Sequence, residues 1–365
     1  MKAFEISRTL IVAASAAGIL TTTASAQELQ RFTADSVVSL DVFGGENVSH
    51  KPQIVIDASV EMRVGNGWQL FFRPWWRKAR PSTPTAVAPD WDGQLYQAGA
   101  RYERHGDIST RFEIGQIVSP IGLGLLDWRP NLNPTIVPHL SYVVPMPLFD
   151  ASSPRVTPIA QSYPLGAVVT LSTQRWDARA ALVNTAPVRG WAIGADNNPR
   201  QTPVVEGGAG ITPLVGLRFG VSAAHGKYAT QDEIRTPSDG RMMTLVGGEA
   251  EYAFRYTKVA AEVIRTTFQT SAADAVAYGY FVQGVQTITP RIFAAARHEG
   301  ASAPPLVSGI VPGSRAQMKM FETTVGVRVT RDVTVKGSYY ARRSYNAPAW
   351  DNQVGVAFVW TTRWR

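Results

Sequence analysis

Cysteine is missing from all 365 residues, which excludes disulfides, thiolate metal sites and a cysteine nucleophile. No apolar run reaches about 18 residues, so no helix of this chain would cross a bilayer, and membrane residence would have to be as a barrel. A compact Lys/Arg cluster is also lacking. The net charge of +8 therefore suits anionic lipid head groups or anionic solutes better than nucleic acid. His50, His105, His225 and His298 sit at strand ends or turns without metal-ligand spacing, and no metal or cofactor is expected. Gly207-Gly-Ala-Gly210 has no accompanying lysine and eases a bent strand instead of cradling phosphate. Charged residues make up only 18% of the chain, whereas 31 glycines, 10 tryptophans and 12 tyrosines are present. That balance fits glycine-eased strands with aromatic belts.

The chain opens with Lys2 and Arg8, an apolar run from Leu10 to Leu20, and Ala24-Ser25-Ala26. These are the parts of a secretory signal, with cleavage expected after Ala26. Residues 1–26 are read as that signal and 27–365 as a single barrel domain, since no composition shift marks a linker. Period-two segments follow one another from Ser36 to Phe43 through Asn352 to Trp364, roughly sixteen in all. Short turns, such as His105-Gly106 and Thr330-Arg331, alternate with longer loops, among them 226–240 and 300–316. Tight turns on one rim and long loops on the other are the pattern of an antiparallel transmembrane β-barrel. A secreted β-sandwich would alternate likewise, but the signal segment, the aromatic strand ends and the number of hairpins favour the barrel. Aromatic pairs such as Trp75 and Trp76, or Tyr252, Phe254 and Tyr256, are expected at its interfaces.

The segment 107–117 places Ile108, Thr110, Phe112, Ile114 and Gln116 on one face, opposite Ser109, Arg111, Glu113 and Gly115. Beyond it, prolines at 120, 130, 134, 138, 145, 147, 154, 158 and 164 forbid helix and central strand. The stretch 118–162 is therefore expected to be a constriction loop folded into the lumen. Its apolar residues, including Leu123, Ile136 and Leu148, would be poorly solvated in a free loop. Strand parity turns Arg73, Arg101, Arg111, Arg179, Arg218, Arg291, Arg297, Arg328, Lys336 and Arg342 inward. Asp57, Glu61, Glu103, Glu113, Asp177, Glu249, Glu251, Glu262 and Glu322 share that side, so the two signs nearly cancel. Such a wall either holds a transverse field across water or consists of plain cross-strand ion pairs. Further arginines and lysines fall in loops, at Arg77, Lys78, Arg80, Arg129, Arg155, Arg189 and Arg200, where lipopolysaccharide phosphates would suit them.

The hairpin Arg111-Phe-Glu-Ile-Gly-Gln-Ile-Val-Ser-Pro-Ile-Gly122 resembles the outer-membrane porins of Gram-negative bacteria related to the phosphate-selective family. The resemblance implies a trimeric, sixteen-strand diffusion channel in the outer membrane, with its third loop inside. Two features depart from it: the chain ends Trp364-Arg365, and no run of arginines or lysines forms a phosphate ladder. The pore lining is expected to comprise Arg73, Arg101, Arg111, Glu113, Arg179, Arg218, Arg328 and Lys336, with Asp127, Arg129 and Asp150 from the loop. Expected partners are outer-membrane lipid and lipopolysaccharide, small hydrophilic or anionic solutes, the barrel-assembly machinery that reads the last strand, and two further copies of the chain. A substrate-specific channel and a plugged structural or adhesive barrel are the alternatives. His139-Leu-Ser141 has the spacing of outer-membrane phospholipases, yet it lies among prolines with no orienting asparagine soon after, so no catalytic residue is assigned.

Overall fold

Each strand exists because alternate side chains find apolar surroundings on one side and polar or packed surroundings on the other. The computed structural model describes residues 32–45, 49–80, 89–124, 128–234, 239–307, 311–345 and 347–364. The signal segment 1–26 and Asp127 lie outside them. The strands are β1 (Phe32–Gly44), β2 (Gln53–Gly65), β3 (Trp68–Lys78), β4 (Trp91–Arg104), β5 (Ser109–Gln116), β6 (Leu165–Ser172), β7 (Trp176–Val183) and β8 (Val204–Leu214). They continue as β9 (Leu217–Ala229), β10 (Arg241–Phe254), β11 (Thr257–Phe268), β12 (Ala275–Thr287), β13 (Ile292–Pro305), β14 (Arg315–Arg328), β15 (Val333–Arg343) and β16 (Asp351–Trp364). Every strand pairs antiparallel with its sequence neighbours, and β1 closes on β16 with Ala34 opposite Trp364 and Leu40 opposite Phe358. No edge strand is left open to pair with another chain.

The rims alternate as expected. Short turns join β2 to β3, where Asn66 adopts φ 51°, and β10 to β11, where Arg255 adopts φ 52°. Both termini of the barrel lie on that short-turn rim, and the long connections rise from the other. The loop expected over 300–316 starts later than the sequence pattern implies, because pairing of β13 with β14 runs on to Pro305 opposite Arg315. A register shift after Ser302 absorbs the prolines there. Among the described residues no helix is long and apolar enough to cross a membrane; the two helices, α1 (Leu140–Val143) and α2 (Gln231–Ile234), are single turns in loops.

The outer face is apolar. On β16, Val354, Val356, Phe358 and Trp360 are exposed while Gly355, Ala357 and Val359 are buried, the inversion that lipid outside demands. Tyr252, Phe254, Tyr256, Trp360 and Trp364 belt the short-turn rim. Trp75 is not part of any belt: it is 5% exposed and stacks on Tyr96 at 4.9 Å on the inner side. A register shift between Arg73 and Pro74 lets β3 carry three buried residues in a row there. Gln116 likewise leaves the outer face. At Gly115 the backbone adopts φ 125° and the alternation breaks, so Gln116 is buried and donates to the Leu95 carbonyl.

Candidate functional site in the barrel lumen

The lumen is occupied by residues 117–124 and 128–164. Leaving β5, the chain turns inward at Ser119 and meets Glu262 on β11 at Leu123; Arg129 lies towards the short-turn rim beside Asp35 and Asp57, and the chain climbs back through α1 to β6. Where backbone N–H groups of this loop find no backbone carbonyl, wall carboxylates accept four of them, from Leu123, Ile136, Val137 and Leu140. The Glu322 carboxylate takes Ile136 N–H at 3.0 Å and Val137 N–H at 3.2 Å. Glu299 takes Leu140 N–H at 3.0 Å, and Glu262 takes Leu123 N–H together with the Tyr142 hydroxyl at 2.9 Å. Ser119 donates its hydroxyl to Glu206 at 2.9 Å.

Loop carbonyls find cations in the same way. Lys336 donates to the Pro130, Asn133 and Thr135 carbonyls at 2.7, 2.5 and 3.1 Å, and Arg297 to that of Val137 at 2.6 Å. In the low dielectric of a filled lumen such bonds are strong and expensive to break. They hold the loop in one position.

Apolar packing completes the seal on the long-loop half of the lumen. Ile121, Met146, Phe149, Val156 and Ile159 meet inward-facing Val168, Val183, Met243, Leu245, Ile264 and Phe268 in one buried cluster. Ile136 and Leu140 pack on Met318, Met320 and Tyr340 in a second. The inner wall here is thus apolar, not wet. Water-facing charge lies in the short-turn half of β2–β10, where Arg111 keeps 43% of its side chain exposed and Glu61 42%, and again at the long-loop rim, at Arg77 with Asp92 and Arg342 with Asp351.

Seven of the candidate residues fall into three clusters. Arg73 is buried and pairs with Asp57 at 2.6 Å, its guanidinium lying 5.6 Å from the Tyr96 ring centre. Arg129 joins it from the loop, bridging Asp35 and Asp57, the latter at 3.3 Å. Arg101, Arg111 and Glu113 form one network with Glu61 and Glu103, with Arg101 at 2.5 Å from Glu113 and Arg111 at 3.1 Å from it. Arg179 and Arg218 share Glu249 at 3.1 and 2.8 Å, and Arg218 also holds Asp177 at 2.8 Å. These side chains lie flat on a floor without side chains: a Cβ on Gly210 would stand 2.6 Å from both Arg218 and Asp177.

The remaining candidates are dispersed. Lys336 is an anchor of the loop, and Arg328 sits at the short-turn rim over Phe293, 5.0 Å from its ring centre. Asp150 is buried near the long-loop rim, where it accepts N–H bonds from Ser152 at 3.0 Å and Ser271 at 2.7 Å. Burial works to raise its pKa, but these backbone donors, with Arg241 at 3.6 Å, hold the carboxyl below the usual aspartate range. His139 is buried with its ring 4.3 Å from that of Phe281, and Ser141 is buried beside it in α1.

Sequence reading missed Asp35, Asp41, Glu206 and Glu299 as inward carboxylates. Parity alone would have found them, because each shares the inner side of its strand with a buried neighbour: Val37 on β1, Val204 on β8 and Arg297 on β13.

No protein-family model matches the chain, and no curated protein matches it. Solved structures do. OmpF of Salmonella typhi, solved in complex with daunomycin, aligns over 91% of this chain and 97% of its own with a TM-score of 0.59 at 10% identity. OmpT of Vibrio cholerae with loop L8 deleted aligns over 91% of this chain and 98% of its own at TM-score 0.53 and 9% identity. The fold is that of outer-membrane barrels. OmpT folded in vitro and solved in its trimer form covers the same 91% of this chain and 98% of its own at TM-score 0.50 and 10% identity. At these identities the likeness extends to architecture alone.

Proposed function

We propose that the protein is a porin of the bacterial outer membrane, exported by residues 1–26, which lets small hydrophilic solutes diffuse through a passage narrowed by residues 117–164. The carrying observation is that loop, threaded through the barrel and tied to opposite walls by Glu206, Glu262, Glu299, Glu322 and Lys336. A loop so placed sets the aperture of any path through the lumen. Trimeric assembly is proposed with it, since a neighbouring barrel of the same architecture was solved as a trimer. A relation to phosphate-selective porins rests on residues 111–122 alone.

A weak anion preference is part of the proposal. Arg111 and Arg77 expose 43% and 41% of their side chains, more than the Glu113 and Asp92 carboxylates beside them. Planar-bilayer recording across a salt gradient tests both claims. Unitary currents that reverse towards the chloride potential are expected, and Arg111→Glu should move that reversal towards the cation. Failure of the purified, folded protein to conduct under any condition would overturn the channel reading.

One observation favours a second reading. The apolar clusters fill the long-loop half of the lumen from wall to wall, as in a barrel whose lumen stays plugged and whose role is structural or adhesive.

A further inference from the structure

The arm of the loop that returns from α1 runs Val144-Pro-Met-Pro-Leu148. Pro145 and Pro147 have no N–H to give, so the arm stays extended without joining a sheet, as Val144 already is at φ −96° and ψ 111°. Met146 donates its N–H to the Val156 carbonyl at 2.8 Å, which draws residues 154–156 alongside and brings Arg155 to the arm. The Leu148 carbonyl accepts the Val307 N–H at 3.4 Å. Across from the arm, Ser344 and Tyr345 follow the end of β15 on the long-loop rim, and the Tyr345 ring packs on both apolar clusters.

A cavity of about 300 Å³ lies between the two, lined by residues 144–148, Arg155, Ser344 and Tyr345, with no acidic side chain in its wall. Among the loop arginines, Arg80 lies 4.1 Å from the Phe43 ring centre inside the barrel, and Arg189 pairs with Glu233 at 3.0 Å. Arg155 is exposed and forms no ion pair with a described residue. The Tyr345 hydroxyl is buried without a hydrogen-bond partner among the described residues, and a buried donor in that state calls for an acceptor. Burial, with the charge of Glu299, pushes this hydroxyl well above the ordinary tyrosine range, so it stays a donor at neutral pH. An unpaired guanidinium and a hydroxyl donor beside a face of proline and methionine suit one chemistry, a carboxylate on an apolar body. Arg155 offers the planar fork that a carboxylate accepts in two bonds. Pro145, Met146 and Pro147 suit a ring, the methionine sulfur adding contact with an aromatic edge. The volume stands at the low end for ligand cavities, so it takes one ring or a short chain.

We propose that this cavity at the long-loop mouth binds a small apolar monocarboxylate, with Arg155 holding the carboxylate, Tyr345 donating to it and the 144–148 arm covering the ring. The proposal deepens the channel reading by naming a solute class, and rests on that reading for transport alone. A folded protein that binds but does not conduct leaves the site standing, whereas one that conducts but does not bind overturns the site alone. Ligand-observed saturation-transfer NMR on the full, detergent-folded chain tests it, with phenylacetate as the probe and empty micelles as the blank. Saturable binding of phenylacetate is expected, with acetate and 2-phenylethanol each bound roughly tenfold more weakly, since each lacks one half of the match. Arg155→Gln should raise the Kd roughly tenfold, the scale of a lost charged hydrogen bond, and Arg155→Lys should recover part of it. Tyr345→Phe should weaken binding roughly fivefold and leave the temperature at which the folded band disappears from unboiled gels unchanged, because the hydroxyl has no partner to lose. A clear drop in that temperature would assign the hydroxyl to the fold and overturn its part in the site. Arg331→Gln, on the opposite rim, should bind as the parent does; a loss equal to that of Arg155→Gln would reduce the effect to net charge and overturn the proposal. An unchanged Kd in Arg155→Gln overturns it too, and so does displacement of phenylacetate by inorganic phosphate or acetate at the concentration at which phenylacetate itself saturates, which would mark an anion site without an apolar part.

Discussion

Glu322 on β14 and Arg297 on β13 stand directly opposite each other, and their 2.9 Å ion pair is sealed from solvent on both sides. The pair does more than cancel charge. Glu322 also accepts Ile136 N–H, Val137 N–H and the Ser338 hydroxyl, while Arg297 donates to the Val137 carbonyl, so two wall residues clamp one turn of the loop.

Removing one member should expose that dependence. Glu322→Ala leaves Arg297 buried without its main counter-charge and two loop N–H groups without acceptors, a loss of about 3 to 5 kcal/mol for a broken buried pair. The temperature at which the folded band disappears from unboiled gels is expected to drop clearly. Replacing both residues, as Arg297→Met with Glu322→Leu, should recover much of it, because the desolvation cost goes with the charges. Equal loss in the single and the double variant would show that the clamp matters for shape alone.

A pH dependence follows from Asp150, which ties the returning arm of the loop to Ser271 between β11 and β12. Its folded-state pKa lies below the ordinary aspartate value. The stabilisation is therefore present above that ordinary value, near pH 4, and is lost as pH falls through the lowered one. Asp150→Asn should melt below the parent at pH 6, and the gap should close in strong acid. A gap that stays constant down to pH 2 would mean the carboxylate charge contributes nothing.

The barrel was legible in the sequence because its determinants are local. Parity, turn chemistry and proline content depend on neighbours a few residues apart, and they gave the strand number, the alternating rims and the inward loop. Gln116 and Trp75 escaped because a positive-φ glycine and a register shift each reset the parity, and neither leaves a periodic signal. The anchoring of the loop was not legible at all. Contacts such as Lys336 with Asn133 and Glu262 with Leu123 join residues more than a hundred positions apart, and only the closed barrel brings them together. The filled half of the lumen escaped for a related reason: Met318, Met320 and Phe268 read as ordinary strand residues until the loop that covers them is in place.

The two faces of β16 make a further test of parity. Phe358 points to lipid and is 44% exposed, so Phe358→Arg places a charge near mid-strand at about 2 to 4 kcal/mol and should deplete folded protein in the membrane. From alternation alone, Ala357→Arg would be the harmless control. The structure reverses that expectation, because Ala357 is 2% exposed within the lumenal cluster of Val37, Met318 and Tyr340. Both variants should fold poorly. Gln69→Arg, half-buried on the inner side beside Glu103 at 3.4 Å, should insert normally, and quantifying the three in isolated outer membranes checks the assignment.

The loop itself decides between an open passage and a plugged one. Replacing Leu126 to Val156 by a short Gly/Ser link removes α1, the Arg129 and Lys336 anchors, and Tyr142, Met146, Phe149 and Val156 from one apolar cluster with Ile136 and Leu140 from the other, while the strands keep their pairing. The inner wall then exposes Met243, Leu245, Met318 and Met320, so the folded state should lose stability even as the lumen widens. If a narrow path already runs beside the loop, single-channel conductance should rise severalfold from a measurable parent value, since the constriction and not the barrel set it. If the clusters seal the lumen, the parent should be silent and only the shortened chain should conduct. Equal, nonzero conductance in both would place the narrowest point away from the loop, at the Arg101–Glu113–Arg111 network, and Arg101→Ala with Arg111→Ala would then be the substitutions that widen it.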